Sequence, residues 1–213
     1  MESLKKKRER AARIFEILDP VYTYEKTALK YITPFQLLIA TILSAQCTDK
    51  RVNEVTKSLF KKYRTPEDYI RAPIRELEED IRPTGFFRNK AKSVKGSSEG
   101  LVRLYGGEVP STMEEMLKLP GVGRKTANCV LGAVFDVPGV VVDTHVKRLA
   151  YRMGFTSSQD PDKIERDVEN VLPRERWRRF SDILIYHGRE VCMARKPAHG
   201  RCPVFKLCPS NAI

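Results

Sequence analysis

Lys125 follows two closely spaced glycines in residues 119–127, LPGVGRKTA. Such a glycine pair lets the backbone turn tightly and approach another surface closely. Amides exposed at the start of the next helix can donate to a phosphate oxygen without any side chain intervening. Gly121, Gly123 and Arg124 are therefore candidate phosphate contacts, although a bare G-x-G more often marks an ordinary turn between helices. Beyond the turn, Ala127, Val130, Leu131 and Val134 recur at helical spacing and form the stripe that meets the core. At about 100° per residue, Lys125 points roughly opposite that stripe. It shares its side of the helix with Asn128, Cys129, Gly132 and Ala133, an uncharged surround that suits a cleft better than open water. Desolvation and the positive end of the helix dipole would both favour the neutral amine there, the form able to attack an electrophilic carbon and build a Schiff base.

Asp143 lies 18 residues further on, immediately before the helical spacing of Val146, Leu149 and Ala150. Local sequence alone reads it as an N-cap. The second role open to it is electrostatic, since an ionised carboxylate beside a cleaving glycosidic bond stabilises an oxocarbenium-like sugar and helps move a proton. His145 reads as structural.

Cys192, His199, Cys202 and Cys208 give C-x6-H-x2-C-x5-C, a dense set of soft ligands in a loop-like terminus. By ligand chemistry alone, a Cys3His set fits structural zinc. Arg189, Arg195, Lys196, Arg201 and Lys206 surround the loop with positive charge, suited to phosphates but equally to solvation.

Helical signals dominate the elements that must position these groups, so the fold class is all-α. Thr65 with Pro66, Glu67 and Asp68, and Ser111 and Thr112 with Glu114 and Glu115, mark two helix starts. Pro34 opens a helix over residues 35–45 that is apolar nearly all round and should be buried on every side. The stretch 137–142, VPGVVV, is the one strand-like segment, but Pro and Gly interrupt it and it reads as an extended connector and a domain junction.

Thirty-nine Lys and Arg against 27 Asp and Glu leave a formal charge of +12 on 213 residues, which favours a polyanionic partner. Hydrophobic residues make up 41%, ample for a core and against disorder. The N-terminal MESLKKKRERAARIFEIL lacks the apolar run of a signal peptide, and no window reaches membrane-spanning length. A cytoplasmic setting is expected, with the five cysteines reduced or metal-bound.

The string LPGVGRKTA resembles the helix-hairpin-helix of DNA glycosylases. Together with the lysine-then-aspartate spacing and the cysteine tail, which includes Met193-Ala194-Arg195-Lys196-Pro197, it resembles the endonuclease III family over nearly the whole chain. That resemblance implies two helical domains flanking a DNA-binding groove: residues 27–136 with the hairpin, and residues 1–26 plus 137–213 with an iron–sulfur cluster loop. Lys125 would stand on one wall of the groove and Asp143 on the other.

The family holds a [4Fe-4S] cluster with four cysteines, where this chain has His199 at the second position. Histidine ligates cluster iron in Rieske centres, and zinc or a degenerate site are the alternatives. The family also inserts a glutamine opposite the expelled base and an apolar wedge into the duplex. These roles point to Gln46 and Phe86, with Phe87 turned inward and Arg88 touching the orphan base or a phosphate. Without the resemblance, Phe86 and Phe87 read as core anchors and Gln46 as a helix-terminating residue tied to the backbone.

The implied activity is that of a bifunctional DNA glycosylase and AP lyase excising oxidised pyrimidines through a Schiff base on Lys125 and β-elimination. The partner would be double-stranded DNA carrying damaged bases or abasic sites. A monomer without membrane attachment is expected, nucleoid-associated in a prokaryote. The alternatives are a monofunctional mismatch glycosylase and a non-catalytic helix-hairpin-helix DNA-binding module.

Overall fold

The computed structural model describes residues 2–23 and 27–210. Among these residues the chain forms eleven α-helices, short 3-10 turns and no strand. In chain order they are α1 Leu4–Leu18, α2 Pro34–Leu43, α3 Asp49–Lys62, α4 Pro66–Arg71, α5 Ile74–Ile81 and α6 Phe87–Tyr105. There follow α7 Met113–Met116, α8 Arg124–Val134, α9 Thr144–Arg152, α10 Pro161–Glu169 and α11 Trp177–Glu190. Among the described residues, no helix is long and apolar enough to cross a membrane. The chain divides into two compact units, Lys26–Val137 and Met1–Glu25 with Pro138–Ile213.

The Lys26–Val137 unit is built around α2. Thr33 caps this helix by accepting from the Gln36 N–H, Pro34 opens it, and Leu37 to Leu43 are all buried. At about 1.5–3 kcal/mol for each large apolar side chain removed from water, this one helix supplies a large share of the unit's driving force. It ends at Leu43, two residues before the expected end, because Ser44 Oγ turns back to the Thr41 carbonyl at 2.8 Å and Gln46 takes a left-handed backbone conformation. At α4 the expected cap is present: Asp68 accepts from the Arg64 and Thr65 N–H groups at 2.8 and 3.0 Å. The Ser111-Thr112 start also forms, with Thr112 as N-cap, but α7 runs for only four residues before the hairpin.

Two glycines four apart on α6 receive that hairpin. A Cβ at Gly96 would come within 3.0 Å of Pro120, and one at Gly100 within 2.9 Å of Leu119, so the hairpin's Leu119 and Pro120 seat where α6 has no side chains. Ser97, between the two glycines, donates from Oγ to the Pro120 carbonyl at 2.5 Å.

In the other unit the amphipathic face of α1 buries Ala11, Ile14, Phe15 and Leu18. They join a core in which Phe180 lies 6.2 Å from Phe15 and 5.8 Å from Phe155 by ring centroid. Arg179 ties the start of the chain to α11, donating from Nη2 to the carbonyls of Asp19 and Tyr22 at 2.7 and 2.6 Å. The connector over residues 137–143 is neither helix nor strand, and its Val141 N–H donates to Ser181 Oγ at 3.0 Å.

Candidate nucleic-acid interface and cluster site

The hairpin's two glycines have different surroundings. Gly121 has a φ of +79° and lies against Ser93, so both its conformation and its packing require the absence of a side chain. Gly123 is extended, exposed, and has open space where a Cβ would be. It is the N-cap of α8, leaving the first amides of that helix without a side-chain cap. Such amides are donors for an anion brought to the helix end.

Lys125 occupies the first turn of α8 and is exposed. This corrects the expectation of a lysine kept dry by its own helix face. Asn128, Gly132 and Ala133 on that face are buried, and Cys129 is partly so, while the amine end of the row stays in water. Ala127, Val130 and Leu131 face the core as their spacing requires.

A second cluster in the same unit is organised by Lys90. This buried lysine donates from Nζ to the Thr84 carbonyl at 2.7 Å, and burial pulls its pKa down. It thereby ties the first turn of α6 to the turn that precedes it, and the turn after α2 has a matching backbone feature. The exposed residue at each turn is a non-glycine in the left-handed region: Gln46 at φ 53° and Phe86 at φ 47°. A left-handed non-glycine costs about 1–2 kcal/mol, strain that concentrates at functional positions. The Phe86 side chain is 62% exposed, whereas Phe87 packs against the core with the guanidinium groups of Arg82 and Arg88 at 5.8 and 5.6 Å from its ring. Among the described residues Gln46 makes no side-chain hydrogen bond, so the reading of a glutamine tied to the backbone does not apply.

In the other unit Asp143 caps α9, its Oδ1 accepting from the His145 and Val146 N–H groups, both at 2.8 Å. Oδ2 carries no hydrogen bond among the described residues, so the cap leaves half of the carboxylate available. His145 turns its Nδ1 to Arg148 at 3.1 Å, a structural contact.

Cys192, His199, Cys202 and Cys208 line one cavity of about 240 Å³, together with Arg152, Val204 and His187. A single water needs only ~10–15 Å³ of such space. Among the described residues no three side chains of His, Cys, Asp or Glu close on a single ion. A cavity this large, with sulfur ligands spread around its wall, fits a polynuclear cluster and not one zinc ion. Burial pushes the Cys202 and Cys208 thiols up. The flanking Arg189, Arg195, Lys196, Arg201 and Lys206 are all exposed.

Sequence reasoning missed the groups that hold this loop. Arg148 and Arg152, one turn apart on α9, clasp its start: Arg148 Nε reaches the Cys192 carbonyl at 3.2 Å, and Arg152 reaches the Met193 carbonyl and Cys192 Sγ at 2.8 and 3.2 Å. The helix that begins at Asp143 therefore ends on the cysteine loop. His187 was missed as well, buried at the cavity wall with its pKa drawn down to about 4 by desolvation. The available signal was Gly188. A glycine inside a helix costs about 1 kcal/mol and marks a close approach, here to His145 and Arg148 at 3.0 Å.

Residues 39–174 match the model of the HhH-GPD superfamily base excision DNA repair proteins, and residues 192–208 match that of the iron-sulfur binding domain of endonuclease III. The chain is 51% identical to the endonuclease III of Synechocystis over 211 residues, covering 99% of this chain and 96% of that one. It is 44% identical to that of Bacillus subtilis, covering 88% and 86%. Among solved structures, a trapped endonuclease III-DNA covalent intermediate superposes with a TM-score of 0.87 at 42% identity, covering 99% of this chain and 97% of that one. A thermostable thymine-DNA glycosylase gives 0.84 at 25% identity, covering 98% of each. The glycine hairpin, the lysine that follows it and the cysteine cavity thus stand in a chain that belongs to the endonuclease III family of the HhH-GPD superfamily of base excision DNA repair proteins.

Proposed function

We propose that this chain is a bifunctional DNA glycosylase and AP lyase that excises oxidised pyrimidines from duplex DNA, with Lys125 as nucleophile. The observation that carries the reading is an exposed primary amine in the first turn of the helix leaving the glycine hairpin, in a chain similar to an endonuclease III trapped covalently on DNA. Amides of the hairpin at Gly121 and Gly123, with Arg124, hold a phosphate. Phe86 wedges the duplex, Gln46 pairs with the orphan base, Arg88 supports that strand, and the damaged nucleotide turns out of the stack.

Nζ of Lys125, as the neutral amine, attacks C1′ of the sugar. The bond from C1′ to the base nitrogen breaks with its electron pair passing to the base, which takes a proton from water as it leaves. The carboxylate of Asp143 stabilises positive charge on the sugar and accepts the proton that the attacking nitrogen loses. Opening of the sugar ring, with the proton held by Asp143 passing to O4′ as the C1′–O4′ bond breaks, gives a protonated Schiff base. Removal of a C2′ proton then breaks the C3′–O bond and expels the 3′ phosphate, and hydrolysis of the imine returns the lysine. Because Lys125 is exposed in the free protein, bound DNA must shed the water around it.

The cofactor is a [4Fe-4S] cluster, held by Cys192, Cys202 and Cys208 with His199 as fourth ligand; when bound it cross-links the tail and so supplies folding free energy. The enzyme acts as a monomer on the DNA of the cytoplasm, the nucleoid in a prokaryote.

Borohydride trapping tests the reading. The protein should form a covalent adduct with a thymine glycol duplex, and Lys125→Gln should form none. An abasic product without a nick would instead mark a monofunctional enzyme, and equal affinity for intact and damaged duplex without chemistry would mark a binding module.

A further inference from the structure

The cavity lined by the cysteines contains a second histidine, outside the C-x6-H-x2-C-x5-C spacing. The hydroxyl of Tyr22 lies 2.8 Å from Nδ1 of His187, and Nε2 of the same ring lies 3.6 Å from Sγ of Cys202. His187 is 1% exposed and Tyr22 7%, so water does not compete for either contact. Tyr22 is itself held: Arg179 grips its carbonyl at 2.6 Å, and its ring stacks on Tyr186 with centroids 6.2 Å apart.

Chemistry fixes the direction of this chain of contacts. A cysteine that ligates iron is a thiolate and accepts hydrogen bonds only, so His187 must carry its proton on Nε2. A neutral imidazole with that proton has a lone pair on Nδ1, which the Tyr22 O–H satisfies by donating. The three cysteines thus meet three different neighbours. Cys192 Sγ faces the Arg152 guanidinium at 3.2 Å, Cys202 faces the imidazole, and Cys208 faces the Arg152 carbonyl, an acceptor, at 3.5 Å.

We propose that Tyr22 and His187 form a hydrogen-bond relay ending on the sulfur of Cys202, and that His187 is a positioning residue for that cluster ligand. The inference rests on the cofactor assignment above. A donor on a ligating sulfur draws electron density from the iron, favouring the reduced cluster and slowing loss of the ligand.

The test uses the holoprotein, purified without oxygen, and the variants His187→Phe, His187→Gln and Tyr22→Phe. The wild-type visible spectrum, read first, tests the cofactor itself; the variants test only the relay. His187→Phe should shift the Fe–S(Cys) stretching bands in resonance Raman, move the midpoint potential to more negative values, and bleach roughly tenfold faster under a chelator. Tyr22→Phe should move all three the same way by less, and His187→Gln, whose amide can still donate, should restore them towards wild type. Faster bleaching with bands and potential unchanged, and no rescue by glutamine, would reduce His187 to packing and overturn the proposal. If His187→Phe does not accumulate as folded protein, Tyr22→Phe decides alone: unchanged bands and potential in that variant also overturn it.

Discussion

Gly121 and Ser93 are in direct contact: a Cβ on Gly121 would lie 2.4 Å from the Ser93 Cβ and 2.6 Å from its Oγ. With φ at +79° the position is also strained for any L side chain. Gly121→Ala should therefore lose about 2–4 kcal/mol, combining a left-handed alanine with overpacking. Gly123, two residues on, meets nothing within 4 Å and is extended. Gly123→Ala should cost under about 1 kcal/mol, the ordinary penalty for alanine at an N-cap, yet weaken binding to an abasic-site duplex. Denaturant unfolding and DNA titration at fixed salt separate the two. An alanine at 123 that leaves affinity untouched would remove the hairpin amides from the interface.

Phe86 and Phe87 divide strain and packing between them. Phe86 is in the left-handed region and 62% exposed, while Phe87 packs against the core. Phe86→Gly should leave stability unchanged or raise it by up to ~1 kcal/mol, because glycine relieves the backbone, while excision falls as the wedge is lost. Phe87→Ala should cost about 2–3 kcal/mol, somewhat below the range for a fully buried ring. Thermal unfolding and single-turnover excision read both effects. A stabilised Phe86→Gly with full excision would exclude Phe86 as the wedge.

What was legible in the sequence follows from how local each signal is. Pro34, Thr65-Pro66 and Thr112 are helix-start signals, set by residues within one turn, and each begins a helix in the structure. The cysteine spacing was also legible, because all four candidate ligands lie within 17 residues and line one cavity. The seat of the hairpin on Gly96 and Gly100 was not, since it joins α6 to residues about 20 positions away and its only mark is the absence of side chains. Nor was His187, whose partners Tyr22 and Cys202 lie 165 and 15 residues distant. The exposure of Lys125 was not legible either, because an uncharged helix face has the same composition whether it lines a cleft or, as here, is mostly buried within the protein.

Asp143 carries a cap on one oxygen and leaves the other open. The two functions can be separated by substitution. Asparagine caps a helix about as well as aspartate, so Asp143→Asn should unfold within about 0.5 kcal/mol of wild type and bind damaged duplex, while losing at least roughly a hundredfold in excision rate. Asp143→Ala should lose the rate and a further ~1 kcal/mol of stability. Full turnover in the asparagine variant would leave Asp143 as a cap alone.

His199 replaces a thiolate by an imidazole at one corner of the cysteine cavity. Its ring lies 5.4 Å from that of Phe205 by centroid, so the side chain is held at the cavity wall instead of extending into solvent. If it ligates iron, the site carries one negative charge fewer than a four-cysteine site, and an imidazole in that position raises the potential, as in Rieske centres. His199→Cys should then lower the midpoint potential and slow chelator bleaching, since thiolate is the softer ligand for iron. His199→Ala should lose the cluster several times faster than wild type, or fail to load it. Iron content and visible absorption report loading, and voltammetry reports the potential. Identical potentials for the wild type and His199→Ala, both fully loaded, would show that three cysteines hold the cluster and that His199 only packs against Phe205.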